Sequence, residues 1–302
     1  MSCTNCHLPH SPEGSITHAQ YESENIFTWC TNCGNYGIHG ALKRALVAEN
    51  LAPENILLCF DIGCHGNGSD KIRGYRLHGL HGRVIPIAVG AALANTQVPV
   101  IALAGDGATM SEGIAHLVHA VRCNYDITFI LHNNTNYGLT TGQASATTPM
   151  GIPMNSSPDG TPAPALIPAH FALSLFPSFV ARTFSGDVKQ MTQVFQAALH
   201  HKGFSFVEVL QACPTYAQHS SHEWYMERVY DVAEDQKYDD ANLNQALKIS
   251  QDVSEHIATG ILYQNTTIPD FMSLQTNRTG IQTQLVDEVN EHDITQFFDM
   301  FR

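Results

Sequence analysis

Apolar residues recur along this chain as short unbroken runs, and the stretches between them repeat with the period of a helix. The runs at 55–61 (NILLCFD), 98–104 (VPVIALA), 127–132 (ITFILH), 179–184 (FVARTF) and 205–210 (SFVEVL) read as buried strands. Residues 38–49, 84–94, 111–122 and 188–201 read as helices, with Ser111 placed to cap the third. Residues 63–82, rich in Gly and His, and 133–168, rich in Asn, Gly, Thr, Ser and Pro, read as loops. Strands alternating with helices predict an α/β fold, a parallel sheet with helices on both faces. Right-handed crossovers bring the loops that follow the strands to one edge, where such sheets bind ligands. Residues 1–25 read as a polar N-terminal extension and 26–230 as the main domain. Residues 231–302, without a clear sheet pattern, read as an acidic C-terminal segment, helical in part or disordered.

Composition narrows the classes. The chain has 302 residues, 43% of them hydrophobic, enough for a core that needs no staples. No apolar run reaches the roughly 18 residues of a membrane span, and the polar start MSCTNCH does not read as a signal peptide, so a cytoplasmic protein is expected. The formal charge is −13, and residues 231–302 hold 13 Asp and Glu against 4 Lys and Arg. Clustered cations are missing, so nucleic acid and anionic membranes are not expected partners.

The segment from Gly105 to Asn134 runs as strand end, Gly-Asp-Gly, helix, strand and Asn-Asn. Asp106 and Asn134 are 28 positions apart, one helix plus one strand, which puts both at the same edge of neighbouring strands. One carboxylate, one amide oxygen and a backbone carbonyl, expected from Asn136, make the oxygen set of a hard divalent ion that bridges to phosphates. Gly105 and Gly107 let the backbone approach those phosphates, and amides at the helix start can donate to them. The competing reading is a structural turn in which Asp106 caps a helix.

With these motifs the chain resembles the beta subunits of the 2-oxoacid:ferredoxin oxidoreductases, the pyruvate and 2-oxoglutarate ferredoxin oxidoreductase family. The resemblance covers about residues 29–216. It is carried by Trp29-Cys30-Thr31-Asn32-Cys33-Gly34, Asp61-Ile62-Gly63-Cys64, Leu80-His81-Gly82-Arg83, the Gly-Asp-Gly segment, the stretch from Asn136 to Gln143, and the stretch from Gln211 to Tyr216. It implies a thiamine diphosphate-binding fold in which Asp106, Asn134 and Asn136 hold Mg2+. It further implies that Ile62, Gly63, Cys64, His65, His81, Gly107, Ala108, Gly138 and Leu139 line the cofactor.

Eight cysteines are present, and Cys30-x-x-Cys33 sits on a Gly-terminated turn. Cys64 and Cys213 each follow a strand. Thiolates suit iron–sulfur clusters, and the family pattern implies that Cys30, Cys33, Cys64 and Cys213 bind one [4Fe–4S] cluster beside the cofactor. A zinc site shared by Cys3, Cys6, Cys30 and Cys33 is the rival. Cys59 and Cys123 read as core residues.

The implied activity is oxidative decarboxylation of a 2-oxo acid to acyl-coenzyme A and carbon dioxide, with electrons passing through the cluster to ferredoxin. A cluster-free thiamine-dependent decarboxylase or synthase half and a zinc-binding regulatory protein are the alternatives. Thiamine enzymes activate the cofactor with a Glu from a second, similar domain. Only one such module is present, and Glu112 lies at the diphosphate end, so a partner, the alpha subunit, is expected to supply that Glu. Thr141 and Asn67 stand where some relatives carry lysines that meet substrate carboxylates, which leaves Arg83, Arg73 or the partner for that contact.

Overall fold

The computed structural model describes residues 14–289 and 293–301. In chain order the strands are β1 (Leu57–Phe60), β2 (Tyr75–His78), β3 (Val100–Gly105), β4 (Ile127–Asn133), β5 (Asn136–Tyr137), β6 (Gln143–Ala144), β7 (Phe179–Phe184), β8 (Phe204–Leu210), β9 (Val229–Asp231) and β10 (Ile257–Gln264). The helices are α1 (His18–Tyr21), α2 (Asn35–Ala48), α3 (Val84–Ala94), α4 (Ile114–Cys123), α5 (Pro168–Leu173), α6 (Val188–His200), α7 (His222–Met226), α8 (Leu243–Ser250) and α9 (Thr295–Phe298). Eight strands form one sheet in the order β2-β1-β3-β4-β8-β7-β10-β9, parallel except where β10 runs against β7.

The continuous apolar runs are explained by burial on both faces. Every residue of β4, β7 and β8 is buried. One face packs on α2 and α6 through Ile38, Leu42, Leu46, Met191 and Phe195. The other packs on α3, α4 and α5 through Val84, Ala88, Leu117, Val121 and Leu173. Among the described residues no helix is long and apolar enough to cross a membrane.

Three expectations change. The Gly- and His-rich loop contains the exposed edge strand β2, whose sequence YRLH alternates without a buried face. Ser111 is not a cap: it lies inside a wide helical turn at Ala108–Glu112, and Gly113 precedes α4. The sheet also continues past residue 230. Strands β9 and β10 extend it; Gly260 takes φ 100°, and β10 shifts register against β7 just beyond it, between Ile261 and Tyr263. The Gly and the register shift obscure the strand period in the sequence. At the other end of the chain Tyr21 is fully buried and donates to Leu51 O at 2.8 Å, so the extension docks before residue 25. Cys3 and Cys6, and the zinc site that would use them, lie outside the described residues.

Candidate functional site

The ends of β1, β3, β4 and β8 meet at the carboxyl edge of the sheet around a cavity of about 200 Å³. From the β1 end it is lined by Ile62, Gly63, Cys64 and His65. From the β3 end come Gly105, Asp106, Gly107 and Ala108, and from the β4 side Asn134, Asn136, Gly138 and Leu139. His81 closes it from the turn before α3. All the residues assigned to the cofactor and the divalent ion from sequence therefore share one space. His132, Tyr137, Thr140 and Gln211 also line it and were not assigned a role.

Asp61 ties two of these walls together. It is 1% exposed, and its Oδ1 accepts from the N–H of Ile62 at 2.7 Å and of Gly82 at 2.9 Å. Its Oδ2 accepts from Val84 N at 3.2 Å, at the start of α3. The loop of Ile62–His65 and the turn with His81 are thus fixed to one carboxylate.

Asp106 is buried, 1% exposed, and its neighbours are donors without charge. Ser145 Oγ donates to Oδ2 at 2.5 Å, Thr147 Oγ1 donates to Oδ2 at 2.6 Å, and Asn134 N lies 3.4 Å from Oδ1. Burial, opposed by these hydrogen bonds, lifts its pKa to about 6. An anion held out of water without a cation is costly, and a bound divalent ion removes that cost. Both hydroxyls sit on Oδ2, which leaves Oδ1 toward the asparagines. The loop 145–148 was read only as polar; the signal was its density of short hydroxyl side chains, too common in loops to stand out.

The asparagine turn is equally constrained. Asn136 N donates to Asn134 Oδ1 at 3.2 Å and Asn136 Nδ2 donates to Asn134 O at 2.7 Å. Thr135 takes φ 58°, a left-handed conformation that costs a β-branched residue strain. Thr148 Oγ1 holds it, donating to Thr135 O at 2.6 Å. Asn136 Oδ1 is buried without a partner among the described atoms, and Asn136 lines the same cavity as Asp106. A carboxylate, amide oxygens and an unsatisfied acceptor at a cavity fit a hard divalent ion that carries phosphates. The glycine at 107 fits the same use. A Cβ there would run into the Tyr137 ring.

Behind Asn134, Glu208 is 1% exposed and pairs with Arg182, 0% exposed, at 2.9 Å. Glu208 Oε1 accepts from Asn133 Nδ2 at 2.7 Å, and Asn133 Oδ1 accepts from Thr135 N at 3.3 Å. The ion pair therefore supports the turn from below.

The four cysteines assigned to a cluster from sequence gather on one side of this cavity. Gly34 N donates to Ala212 O at 3.0 Å, which joins the Cys30–Cys33 turn to the loop of Cys213. Trp29 Nε1 donates to Cys64 O at 2.6 Å, which joins it to the β1 loop. Burial first, then the charges of Cys33, Cys213 and Cys30, push the Cys64 thiol up to about 12. Burial and the neighbouring cysteines Cys213 and Cys30 also raise Cys33. Among the described residues no three His, Cys, Asp or Glu side chains stand close enough to hold a single ion. Thiolates on separate irons of a cluster are spaced more widely than the ligands of one ion, and a site of one carboxylate with amide oxygens needs no such trio. Thiols from three loops, two of them buried (Cys33 and Cys213), Cys64 half-buried and Cys30 exposed, fit a cationic cluster that takes them deprotonated.

Glu112 stands at the mouth, with Tyr137 Oη donating to its Oε1 at 3.0 Å and His81 Nδ1 at 3.7 Å from Oε2. Among the described residues no Lys or Arg lines the cavity. Arg83 is exposed and donates to Gly82 O and Glu112 O, at 2.9 and 2.8 Å, and Arg73 is exposed.

Residues 61–209 match the family described as thiamine pyrophosphate enzyme, C-terminal TPP binding domain. Residues 213–277 match a second family, that of the C-terminal part of the pyruvate ferredoxin oxidoreductase beta chain. The chain is 35% identical over 280 residues to the 2-oxoacid:ferredoxin oxidoreductase subunit beta of Saccharolobus solfataricus, covering 89% of this chain and 91% of that one. It is 37% identical to the 2-oxoglutarate oxidoreductase subunit KorB of Mycobacterium tuberculosis over 65% of this chain and 52% of that one. A solved 2-oxoglutarate:ferredoxin oxidoreductase from Magnetococcus marinus, with 2-oxoglutarate, coenzyme A and succinyl-CoA bound, superposes with a TM-score of 0.86 at 26% identity. That match covers 97% of this chain and 98% of the other.

Proposed function

This chain belongs to the family of 2-oxoacid:ferredoxin oxidoreductase beta subunits, and on that premise we propose that it binds thiamine diphosphate through Mg2+ and passes electrons from a 2-oxo acid to a [4Fe–4S] cluster. The observation that carries the reading is the buried Asp106 carboxylate, bonded only to neutral donors and facing a cavity with Asn134 and Asn136. In this reading Asp106, Asn134 and Asn136 hold the magnesium, and Gly105, Gly107 and Ala108 lie against the diphosphate. Ile62 to His65, His81, Gly138 and Leu139 enclose the cofactor and exclude water. Bound thiamine diphosphate supplies the electron sink for loss of carbon dioxide. Cys30, Cys33, Cys64 and Cys213 hold the cluster at one wall of the same cavity.

His65 and His132 contribute as neutral groups. Burial, then neighbouring histidines, drives His65 well below its ordinary pKa, and burial drives His132 down to about 3. Neither adds positive charge at neutral pH. With no Lys or Arg on the described lining, the substrate carboxylate falls to the alpha partner, as does the activating Glu. Coenzyme A as acyl acceptor and ferredoxin as electron acceptor complete the reaction, with pyruvate or 2-oxoglutarate as the substrate class. The described cysteines are free thiols, in keeping with the cytoplasm.

The test is co-expression with the alpha subunit of the same enzyme and anaerobic purification. Thiamine, magnesium, iron and sulfide would be measured, then viologen reduction with pyruvate, 2-oxoglutarate and aromatic 2-oxo acids plus coenzyme A. One thiamine and four cluster irons per chain beyond those of the alpha subunit, with substrate-dependent dye reduction, are expected. Thiamine without iron in this chain would favour the cluster-free decarboxylase, and absence of thiamine would refute the reading.

A further inference from the structure

One side chain touches both halves of this site. Gln211 is 1% exposed, lines the cofactor cavity, and points its Nε2 at Cys33 Sγ, 3.6 Å away. Its backbone is fixed, because Gln211 N donates to Asn133 O at 2.9 Å and the next residue accepts from Gly34 N through Ala212 O at 3.0 Å. The remaining amide atom, Oε1, is buried and has no partner among the described atoms. His132 lines the same cavity. His132 Nε2 is likewise buried and unpartnered, while its Nδ1 lies 2.9 Å from Asn35 Oδ1. Asn35 Nδ2 is a third buried atom left over in the same chain of groups.

Three adjacent unsatisfied atoms point to a shared rearrangement of protons. A cluster-bound thiolate is an acceptor only, so it fixes the order of the whole chain. Gln211 Nε2–H donates to Cys33 Sγ, which leaves Gln211 Oε1 to accept from His132 Nε2–H. His132 then carries its proton on Nε2 and accepts at Nδ1 from the Asn35 amide turned over. All three leftover atoms gain a partner, and Asn35 Oδ1 alone is given up in exchange. The order of amide O and N atoms is set by such networks.

We propose that Gln211, backed by His132, is a positioning residue that raises the reduction potential of the cluster from the cofactor's side. This deepens the reading above and rests on the cluster being present. A hydrogen bond to a cluster sulfur stabilises the reduced, more negative state. Because Gln211 and His132 also line the cavity where the electrons originate, the amide sets how readily the first electron leaves it.

The experiment is a redox titration of the anaerobic alpha–beta complex, read by the electron paramagnetic resonance signal of the reduced cluster. Wild type, Gln211→Leu and Gln211→Glu are compared, with iron and thiamine measured in each. Both variants are expected to keep their iron and thiamine and to shift the midpoint to lower potential. The neutral Gln211→Leu is the decisive variant, since Gln211→Glu keeps the shape but brings a charge that lowers the potential by itself. His132→Phe is expected to shift the potential in the same direction by less. An unchanged midpoint in a variant with full iron overturns the proposal. So does loss of the cluster from both Gln211 variants, since that makes Gln211 a retention residue. A wild-type complex without this chain's cluster signal sinks the underlying reading instead.

Discussion

Thr147 Oγ1 and Asp106 Oδ2 meet at 2.6 Å across 41 positions of chain, and Ser145 Oγ reaches the same oxygen at 2.5 Å. A loop without regular structure thus sets which carboxylate oxygen faces the cavity. Removing one hydroxyl is expected to leave the carboxylate free to rotate. Hydrogen bonds to charged groups contribute about 1.5–3 kcal/mol, and supporting groups around metal ligands are worth about 10–100-fold in affinity. Thr147→Val and Ser145→Ala should each weaken Mg2+-dependent thiamine diphosphate binding by roughly that factor, measured by calorimetry on the apo complex. Unaltered affinity in both would show that the clamp has no bearing on the metal.

Asp106→Asn removes a buried anion while keeping its shape. Cofactor retention is expected to fall below detection, while the apo protein unfolds at the same temperature or higher because an uncompensated charge is gone. Thiamine content after gel filtration and a thermal melt check both halves. Retention at the wild-type level would mean that the metal is held elsewhere.

The Arg182–Glu208 pair is a structural support one residue behind the asparagine turn. Glu208→Gln leaves the buried guanidinium unpaired, and breaking such a pair costs about 3–5 kcal/mol. The urea midpoint should fall accordingly. Arg182→Met combined with Glu208→Leu should recover most of the loss, since a well-packed apolar pair often replaces a buried ion pair at little cost. If the double variant is no more stable than Glu208→Gln alone, desolvation is not the source of the penalty.

His39 packs edge-on against Phe27 and Trp29, and burial, then Lys43, holds its pKa down to about 4. The unfolded value is about 6.5, so the unfolded chain takes up this proton first as the solution is acidified. The contribution is full above about pH 6.5 and is lost as pH falls toward 4, by at most about 3 kcal/mol. His39→Phe should make the stability of the apo protein less sensitive to acid over that window, measured by urea unfolding at several pH values. His65 and His132, lowered for the same reason, retain part of the slope in the variant. Identical slopes would exclude His39 as a contributor.

What could be read from the chain follows from what repeats and what does not. Strands β3, β4, β7 and β8 are continuous apolar runs because both faces are covered, and the ends of β3, β4 and β8 mark where Asp106, Asn134 and Cys213 fall. The edge strand β2 has no buried face, so no pattern marks it. Strand β10 is interrupted by Gly260 and a register shift, which hides its period. The residues that orient the site were the hardest to see. Ser145, Thr147 and Glu208 act through contacts to residues far away in the chain, and nothing local distinguishes them from ordinary loop or core positions; Gln211 opens a recognisable motif, but its reach to Cys33 is not visible there.

Asp61 gives the cavity two walls that cannot be remodelled independently, because one carboxylate anchors the strap after β1 and the turn before α3. A substitution that shifts either wall pulls on the other, so this half of the enclosure resists drift. The opposite wall is built differently. The ribbon of β5 and β6 holds its own short turn, where Thr140 bonds Gln143 and Thr141 stays exposed at φ 80°. That short turn is anchored by its own bonds and not by Asp61, so a change there leaves the other two walls where they are.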